Sequence, residues 1–483
     1  MVPPIISGLD SEYLVAVNEE LKLIPIITND KDVTYSWIFN QKEVANTKAY
    51  RFKAPSTPGN YNLRLKVTNE RGVDEQSISV TVAFLTRIST GICTLLQLDT
   101  SGKFSGKNNI TWTVLKSFDN LYRLAYTHTE KPIFTSAQTG EYIVKASKAE
   151  LEHLFLITVN DMPTQTPYIS QVFDFLPAPG QFVNELPRYA KGDTHKDMVR
   201  KAGESLIGRD ANMVSLGGWG GYVTFGFDHT IVNVPDRRDF RISGNAFAAS
   251  SNPDPKASFG GSCEPGIVMV AYDKNKNGKP DEDEWYEIKG SANFTVEKET
   301  WYPKAVDNKN DTNTIRDYEM TYYRPKFETP EQAGEIDNPD SFVTIQNYIR
   351  WTNNKGQEGY KVKNVYHSQS YYPAWITDDQ LTYRGIRLAQ NGIDESNSGS
   401  YYVLYAFGYG YVDNYPNTHD NSGIDIDWAI DKQGKKADLP GIDFVKVYNG
   451  IDQENGWLGE CSTEVGRGED LHLLGINIGT INK

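Results

Sequence analysis

The chain has 483 residues and a formal net charge of −14, which argues against a nucleic-acid partner because phosphate binding needs a basic face. This length allows about two to four domains with substantial cores, and no apolar run approaches the roughly 18 residues of a membrane span. Aromatic residues at 12%, with 40 Gly and 23 Pro at short intervals, are typical of β-sandwiches and barrels.

Residues 1–84 are predicted to form a small antiparallel β-sandwich. An aromatic strand at 34–39 carries Trp37, and apolar and polar residues alternate strictly at 61–67. One inward Trp among alternating strands fits an immunoglobulin-like sandwich without its disulfide. Through the motifs YSW at 35–37 and PGNY at 58–61, the segment resembles a PKD domain, a family whose implied role is spacing or adhesion.

Residues 85–161 are predicted to be a second, diverged copy of this sandwich. The motif ITW at 110–112 echoes the first Trp strand, and TGEYIVK at 139–145 echoes the PGNY hairpin. Tandem small sandwiches commonly act as stalks. The alternative is one continuous irregular domain.

Residues 162–190 are predicted to be an ordered connector, because five prolines, at 163, 167, 177, 179 and 187, interrupt any regular element. Thr194 then begins a predicted helix at 195–207 with a capping box, in which Asp197 replaces the usual Glu. We expect this helix to cover one sheet edge.

Residues 191–483 are predicted to be one large calcium-stabilised β-sandwich of jelly-roll or lectin-like connectivity, with one or two short helices. Strands are expected at 222–229, 321–323, 348–351, 401–407 and 444–447. The predicted fold class is therefore mainly β, with tandem Ig/PKD-like sandwiches ahead of this large domain. Three cysteines make no disulfide framework, and Cys263 and Cys461 either pair or stay buried as free thiols.

The stretch 273–284 has the ligand spacing of a calcium loop. Counted from its first residue, oxygen side chains fall at positions 1, 3, 5, 9 and 12, with a glycine at 6. Residues 267–272 and 285–288 read as flanking strands, so we expect a structural Ca²⁺ on a β-hairpin. The alternative is an acidic turn without an ion. The predicted metal ligands are Asp273, Asn275, Asn277, Lys279, Asp281 and Glu284.

A second oxygen-rich region spans 413–427 and includes Asp413, Asp420, Asp425 and Asp427. Short oxygen side chains at this density can hold another hard cation. The alternative is Asx-turn chemistry, in which the same side chains satisfy their own backbone.

Aromatic residues crowd the predicted loops of the large domain and are the candidate ligand-binding residues. Exposed rings would offer their faces to flat ligands such as sugar rings. A sandwich core also consumes aromatic residues, so each candidate is alternatively a core residue. The candidates are Trp219, Tyr371, Tyr372, Trp375, Tyr409, Tyr411, Tyr415 and Trp457.

No catalytic residue is predicted, because the sequence contains no G-x-S-x-G elbow, H-E-x-x-H zinc helix or phosphate-binding P-loop. His229 and His367 are interpreted as turn or edge residues. A glycosidase needs only two carboxylates at suitable separation, and Glu264 is the candidate acid for that alternative.

Seven motifs mark the chain from residue 166 to the C-terminus: PAPGQF at 177–182, the glycine-rich run 217–228, GNAF at 244–247, EPGIV at 264–268, DIDWA at 425–429, IDFVKVY at 442–448 and GWLGE at 456–460. Through these motifs this part of the chain resembles large surface-protein domains of Bacteroidetes. This likeness implies a lipid-anchored protein on the outer face of the outer membrane, although the anchoring Cys is missing from this chain. Relatives look like companions of TonB-dependent uptake systems, some associated with corrinoid (vitamin B12) acquisition.

These observations favour a non-enzymatic surface lipoprotein that captures a glycan or a corrinoid for an outer-membrane transporter. The alternatives are a carbohydrate-active hydrolase and an adhesin that binds host macromolecules. An aromatic-lined depression without a close carboxylate pair would favour capture, and two carboxylates roughly 5–10 Å apart would favour hydrolysis. A broad exposed apolar patch would favour adhesion.

Overall fold

The structure is a computed structural model that describes residues 2–104, 109–117, 120–249, 258–334 and 342–481. The described chain is mainly β, as predicted. None of its helices is long and apolar enough to cross a membrane.

Nine strands form the first sandwich. They are β1 (Ile5–Ser7), β2 (Glu12–Ala16), β3 (Glu20–Leu23), β4 (Ile26–Thr28), β5 (Thr34–Phe39), β6 (Lys42–Ala45), β7 (Tyr50–Lys53), β8 (Gly59–Asn69) and β9 (Gly72–Ala83). The main sheet has the order β2-β9-β8-β5-β6 and faces the pair β3-β7, with the short pair β1-β4 at its margin.

In the described parts of residues 85–161, seven strands form the second sandwich. They are β10 (Leu85–Gly91), β11 (Leu96–Gln97), β12 (Thr111–Lys116), β13 (Tyr122–Ala125), β14 (Ile133–Ser136), β15 (Gly140–Lys148) and β16 (Leu151–Asn160). Its sheets have the orders β10-β16-β15-β12 and β11-β14-β13. In both sandwiches the first strand of the main sheet runs parallel to the last one, β2 beside β9 and β10 beside β16.

The two sandwiches share two side-chain devices. Trp37 and Trp112 are both buried, and each indole N–H donates to a main-chain oxygen at 3.0 Å. The hydroxyls of Tyr61 and Tyr142 both donate to a carbonyl oxygen four residues upstream, as in the tyrosine corner of immunoglobulin folds. The sequence echo between the two segments therefore reflects a shared local structure.

The second sandwich packs directly on the large domain. Its core includes Val232 and Val234 from the large domain. Arg123 lies 3.1 Å from Asp427 and 2.9 Å from Asp438, and these ion pairs bridge the junction. The second sandwich is thus fixed against the large domain by both apolar and charged contacts.

The large domain starts one element earlier than the proline pattern indicated. Residues 171–176, which contain no proline, form an edge strand of its central sheet, so this part of the predicted connector is regular structure. The elements are β17 (Gln171–Leu176), α1 (His195–Leu206), β18 (Val214–Ser215), β19 (Tyr222–Val232), β20 (Phe240–Ile242), β21 (Phe247–Ala248), β22 (Gly260–Ser262), β23 (Gly266–Ala271), β24 (Trp285–Ile288), α2 (Tyr302–Asp307), β25 (Ile315–Tyr323), α3 (Pro330–Ala333), β26 (Val343–Asn353), β27 (Glu358–Asn364), β28 (Gln380–Arg387), β29 (Gly392–Asp394), β30 (Tyr402–Tyr405), β31 (Tyr411–Val412), β32 (Gly423–Ile424), β33 (Ala429–Ile430), β34 (Gly441–Asn449), β35 (Glu464–Val465) and β36 (Gly468–Asp470), with 3₁₀ turns at Asp420–Ser422, Ile426–Trp428 and Gly456–Leu458.

A seven-stranded sheet organises the large domain. Its order is β17-β19-β34-β23-β24-β33, with β31 paired to β23, and smaller sheets are built from β27-β26-β25-β28, β21-β22-β30-β29, β32-β20-β36 and β18-β35. Nearly every residue of β19, β23 and β34 is buried, so both faces of these central strands are covered by other parts of the domain. The predicted helix is confirmed as α1, whose Thr194–Asp197 capping box is complete and whose Met198 and Leu206 are buried.

Candidate ligand-binding pocket and calcium loop

A cavity of about 500 Å³ opens on the large domain. Its walls come from the connector at Gln181 and Phe182, from β22 and β30, and from the loop between Asn455 and Glu464. This volume is in the range of about 300–1,000 Å³ that small-molecule sites occupy. We refer to it below as the ligand pocket.

Aromatic side chains form the rim of the ligand pocket. Tyr366 and Phe247 are 62% and 60% exposed, and Trp457 is 39% exposed, so their ring faces are available to a ligand. Large exposed apolar rings around one opening are a mark of a binding site, since single exposed apolar residues are otherwise scattered. The aromatic lining residues are Phe182, Phe247, Tyr366, His367, Tyr401, Tyr402 and Trp457.

Three glutamates, Glu264, Glu460 and Glu464, line the pocket beneath this rim. Oxygens of Glu264, Glu464 and the buried Asp413 lie within 4.8 Å of one another, because the ends of β22, β31 and β35 meet there. Burial, and then repulsion from Asp413, raises the pKa of Glu264 to about 8. Burial raises the pKa of Asp413 to about 7, and the pKa of Glu464 is also well above its usual value. The three carboxyl groups therefore share protons near neutral pH.

Neutral donors hold the glutamates in place. Glu264 accepts hydrogen bonds from the Ser462 N–H at 2.9 Å and from the Ser262 hydroxyl at 3.1 Å. Glu460 accepts from the Gln181 N–H at 2.5 Å, and burial raises its pKa to about 7, despite the opposing charge of Lys361. The pocket thus has a rigid acidic floor that can interact with hydroxyl or ammonium groups.

A second cavity, of about 570 Å³, lies beside β26 and β27, and most of its charged lining residues form ion pairs. Lys361 lies 2.8 Å from Glu454, and Arg387 lies 2.5 Å from Asp311. Because these charged groups already bind one another, they are less available to a ligand than the glutamates of the ligand pocket, which form no ion pair among the described residues.

Of the eight predicted ligand-binding aromatics, only Trp457 lines the ligand pocket. The structure buries five in the core: Trp219, Tyr371, Tyr372, Trp375 and Tyr411. Tyr409 and Tyr415 are partly buried and pack on Trp428 and on Phe259, respectively. These seven residues take the alternative core interpretation, because the four smaller sheets and the central sheet need large apolar side chains between them.

The Trp219 loop shows why this aromatic is inaccessible. Its indole N–H donates to the Ile386 carbonyl oxygen at 3.1 Å, and its ring packs edge to face on Tyr318 at 4.7 Å. Gly217 has a φ of +66°, and a Cβ there would lie 2.0 Å from the Ala178 carbonyl oxygen. The glycines therefore allow the connector to approach closely and cover the Trp.

The predicted calcium loop joins β23 and β24, which pair antiparallel from Met269–Glu287 to Ala271–Trp285. The two carboxylate oxygens of Asp273 accept the N–H groups of Asn277 and Gly278 at 3.0 and 2.7 Å. Gly278 has a φ of +72°, as the sharp turn at the sixth position requires. The loop therefore connects the two strands of a β-hairpin, as the flanking sequences predicted.

The polar side chains of this loop form hydrogen bonds with one another and with the loop backbone. The amides of Asn275 and Asn277 donate to the same Asp281 oxygen at 2.6 and 2.8 Å. Glu284 is 2% exposed and accepts the Lys274 and Asp281 N–H groups. Three carboxylates and two amide oxygens are a donor set that suits a hard cation. Among the described residues, the two groups of three acidic, His or Cys side chains whose ligand atoms lie within 4.8 Å of one another do not include residues of this loop.

The second oxygen-rich region mainly supports the local backbone. Asp413 accepts the N–H groups of Asn245, Ala246 and Glu464. Asp425 accepts the Asp427 N–H at 2.7 Å, in an Asx turn. The turn interpretation therefore describes this region better than a second metal site, except that Asp413 joins the acidic floor.

His229 is not the turn or edge residue that the sequence suggested. It is buried in β19, with Nε2 2.9 Å from Asp470 and Nδ1 2.8 Å from Asp228. Burial lowers its pKa, but the two carboxylates outweigh burial and the net pKa is raised. The nearby Cys93 thiol is buried, and burial together with these carboxylates raises its pKa well above the usual value, so it is no nucleophile.

All three cysteines are buried and free, so Cys263 and Cys461 take the free-thiol alternative. Most of the ligand pocket was missed from the sequence. Glu264 was singled out as an acid, but Glu460, Glu464 and the rim rings at 182, 247, 366, 401 and 402 come from separate segments without a shared local motif. The proximity of Glu460 and Glu464 to Trp457 in the chain was the one signal that could have found them.

Comparisons with known proteins identify the first sandwich. A family model described as PKD-like domain matches residues 3–69, which confirms the resemblance. No curated protein matches the chain.

Solved structures include similar tandem immunoglobulin modules. The titin I-band fragment I67–I69 is 15% identical, with a TM-score of 0.16, over 33% of this chain and 66% of its own. The tandem Ig repeats of Dlar are 11% identical, with a TM-score of 0.16, over 34% of this chain and all of theirs. A quinonprotein alcohol dehydrogenase-like protein from Bacteroides thetaiotaomicron is 15% identical, with a TM-score of 0.16, over 36% of this chain and 43% of its own. At these TM-scores none of the similarities bears on function.

Proposed function

We propose that this protein is a non-enzymatic ligand-binding lipoprotein on the outer face of a Bacteroidetes outer membrane. It captures a nutrient, a glycan or a corrinoid, and passes it to a TonB-dependent transporter. The observation that carries the proposal is the ligand pocket, in which exposed rings surround a fixed polar floor. PKD-like and immunoglobulin-like modules are typical of surface or extracellular proteins, which supports the location.

The size of the pocket favours a glycan over a corrinoid. A volume of about 500 Å³ suits a few sugar rings, whereas a corrinoid with its nucleotide tail would stand largely outside it. Trp457 and Tyr366 offer ring faces for stacking on a sugar, and Glu264 and Glu460 offer acceptors for its hydroxyl groups. The ligand is thus expected to be a short oligosaccharide or the end of a longer one.

We propose that a bound Ca²⁺ stabilises the fold of the large domain. Asp273, Asn275, Asn277, Asp281 and Glu284, with the carbonyl oxygen of Lys279, would hold it and clamp the hairpin between β23 and β24. None of these residues lines the ligand pocket. Calcium is therefore proposed to stabilise the domain without contacting the ligand.

A glycoside hydrolase is the second candidate, and the carboxylates favour it. The pocket does contain a close carboxylate pair, contrary to the expectation for simple capture, and the raised pKa of Glu264 suits a general acid. However, oxygens of Glu264 and Glu464 lie within 4.8 Å, inside a cluster held by neighbouring donors. Retaining enzymes separate their carboxyl groups by about 5–5.5 Å and keep both directed at the sugar. Capture is the better-supported function.

The test is calorimetric titration of the full chain with a glycan panel and with cobalamin, in calcium and in EGTA. We expect one glycan to bind without turnover, and Trp457→Ala to weaken it roughly tenfold. Tyr360→Ala removes an exposed ring at the second cavity and serves as the matched control. Release of reducing ends from any glycan, or equal affinity in Trp457→Ala, would contradict the proposal.

A further inference from the structure

We propose that the ligand pocket selects cationic ligands, and that its preferred ligand is a saccharide with free amino groups. The ammonium group would contact the floor at Glu264 and Glu460, while a ring face stacks on Trp457. This inference rests on the proposed function and adds the chemical class of the ligand to it.

The charge of the lining residues is one-sided. Three glutamates line the pocket, and none of its described lining residues is Lys or Arg. Within the described ranges, Glu264, Glu460 and Glu464 form no ion pair within 4.0 Å. Lys361, whose charge acts on Glu460, is paired with Glu454 at 2.8 Å. The floor therefore presents carboxyl groups that have no basic partner within the described protein and that share protons near neutral pH.

The hydrogen bonds of the floor supply no positive charge to these carboxyl groups. The donors to Glu264 and Glu460 are main-chain N–H groups and a serine hydroxyl, all neutral. A neutral sugar would replace water at these carboxylates with hydroxyl groups of similar polarity. An ammonium group would form charge-assisted hydrogen bonds, which are about twice as strong as neutral ones.

The rim is also suited to a cation. The faces of Trp457, Tyr366 and Phe247 are exposed around the opening, and aromatic faces attract ammonium groups within about 6 Å. The one titratable base in the lining, His367, has a pKa lowered by burial and is neutral at neutral pH, so it does not oppose a cation. Rim and floor therefore favour the same charge.

The protonation of the floor supports the inference. Desolvation raises the pKa of Glu264 to about 8, and the charged neighbours of Glu264 are Asp413 and Glu464. Desolvation also raises the pKa of Glu460 to about 7, and the charged neighbours of Glu460 are Lys361 and Glu454. A bound cation stabilises the ionised carboxylates, so binding should release protons. The overall charge of −14 also attracts cations to the surface.

The experiment compares two probes of equal length, a glucosamine tetramer and an N-acetylglucosamine tetramer, by calorimetry at neutral pH. We expect the wild-type chain to bind the glucosamine tetramer at least about tenfold more tightly. Glu264→Gln should reduce that ratio several-fold, and Glu297→Gln, at an exposed glutamate outside the pocket, should leave it unchanged.

Salt provides a readout that needs no variant. Affinity for the glucosamine tetramer should fall with added NaCl, and any affinity for the acetylated tetramer should not. Equal affinity for the two tetramers, or salt-independent binding of the cationic one, would overturn the inference and leave the proposed function standing. Binding of neither tetramer would also overturn it, and the glycan panel would decide separately whether the pocket binds a ligand.

Discussion

The ring centroids of Tyr366 and Trp457 lie 6.3 Å apart, with the ring planes at 72°, at the mouth of the ligand pocket. The Trp457 indole N–H also donates to the Ser400 carbonyl oxygen at 3.3 Å, which fixes the orientation of its ring. Two rings at right angles form a corner that can contact a ligand ring on a face and on an edge. This corner is the structural basis of the proposed binding.

Removal of one wall of the corner should weaken binding without unfolding the protein. Tyr366→Ala should lower affinity for the captured glycan about three- to tenfold, because it removes a ring contact worth about 1 kcal/mol. Tyr366→Phe should retain most of the affinity, since the ring is kept. Because Tyr366 is largely exposed, both variants should have the same Tm as the wild type. Calorimetry and melting curves check this, and equal loss in both variants would contradict stacking.

The calcium loop should control stability and not affinity. EGTA should lower Tm, because an ion that binds only the folded state stabilises it by about 3 kcal/mol at a hundredfold excess over Kd. Asp273→Asn should abolish the calcium-dependent part of Tm, whereas Asp283→Asn, outside the ligand positions, should keep it. An unchanged Tm in EGTA would remove calcium from the proposal, and loss of glycan binding in EGTA would place the ion at the ligand site.

The junction between the second sandwich and the large domain depends on Arg123. Arg123→Met removes the ion pairs with Asp427 and Asp438, although Asp427 keeps Lys436 at 3.2 Å, and should cost about 1–3 kcal/mol, since the ion pairs are only partly buried. Hydrogen exchange should quicken in β13 and near residue 438. Arg87→Met, which breaks an exposed ion pair with Glu19, is the control and should change stability by less than about 1 kcal/mol. Equal effects of the two variants would contradict a fixed junction.

Protonation of the acidic floor should make stability depend on pH. The pKa of Glu264 rises from 4.5 to about 8 on folding, so between these values the folded state binds more protons than the unfolded state. Its contribution to the free energy of unfolding therefore falls as pH rises through this window. Glu264→Gln should be more stable relative to wild type near pH 8 than near pH 5, as measured by chemical denaturation. A difference independent of pH would mean that Glu264 is ionised throughout.

The local features of this fold were predictable from the sequence. The capping box before α1 and the ligand spacing of 273–284 both depend on residues within one turn or loop. The two sandwiches were predictable because Trp37 and Trp112 each stand on an alternating strand. Period-2 strands and short-range hydrogen bonds are encoded within a few residues.

The ligand pocket was not predictable in the same way. Phe182 reaches it from a connector, and Phe247 and Tyr402 reach it from an edge strand and an inner strand of one sheet that are more than 150 residues apart in sequence, so only tertiary structure brings them together. The local sequence does not distinguish an aromatic loop residue that is buried against a sheet, such as Tyr371, from one that lies at the rim of an opening, such as Trp457. The buried His229 was misread for the same reason, because Asp470 is distant in sequence.

A crystal structure of the full chain with the tightest-binding glycan of the panel tests the binding site most directly. We predict a sugar ring stacked on Trp457, with a polar group of the ligand within hydrogen-bond distance of Glu264 or Glu460. A ligand bound in the cavity beside β26 and β27, or anywhere else with the ligand pocket filled only by solvent, would contradict the assignment of this pocket as the site of capture.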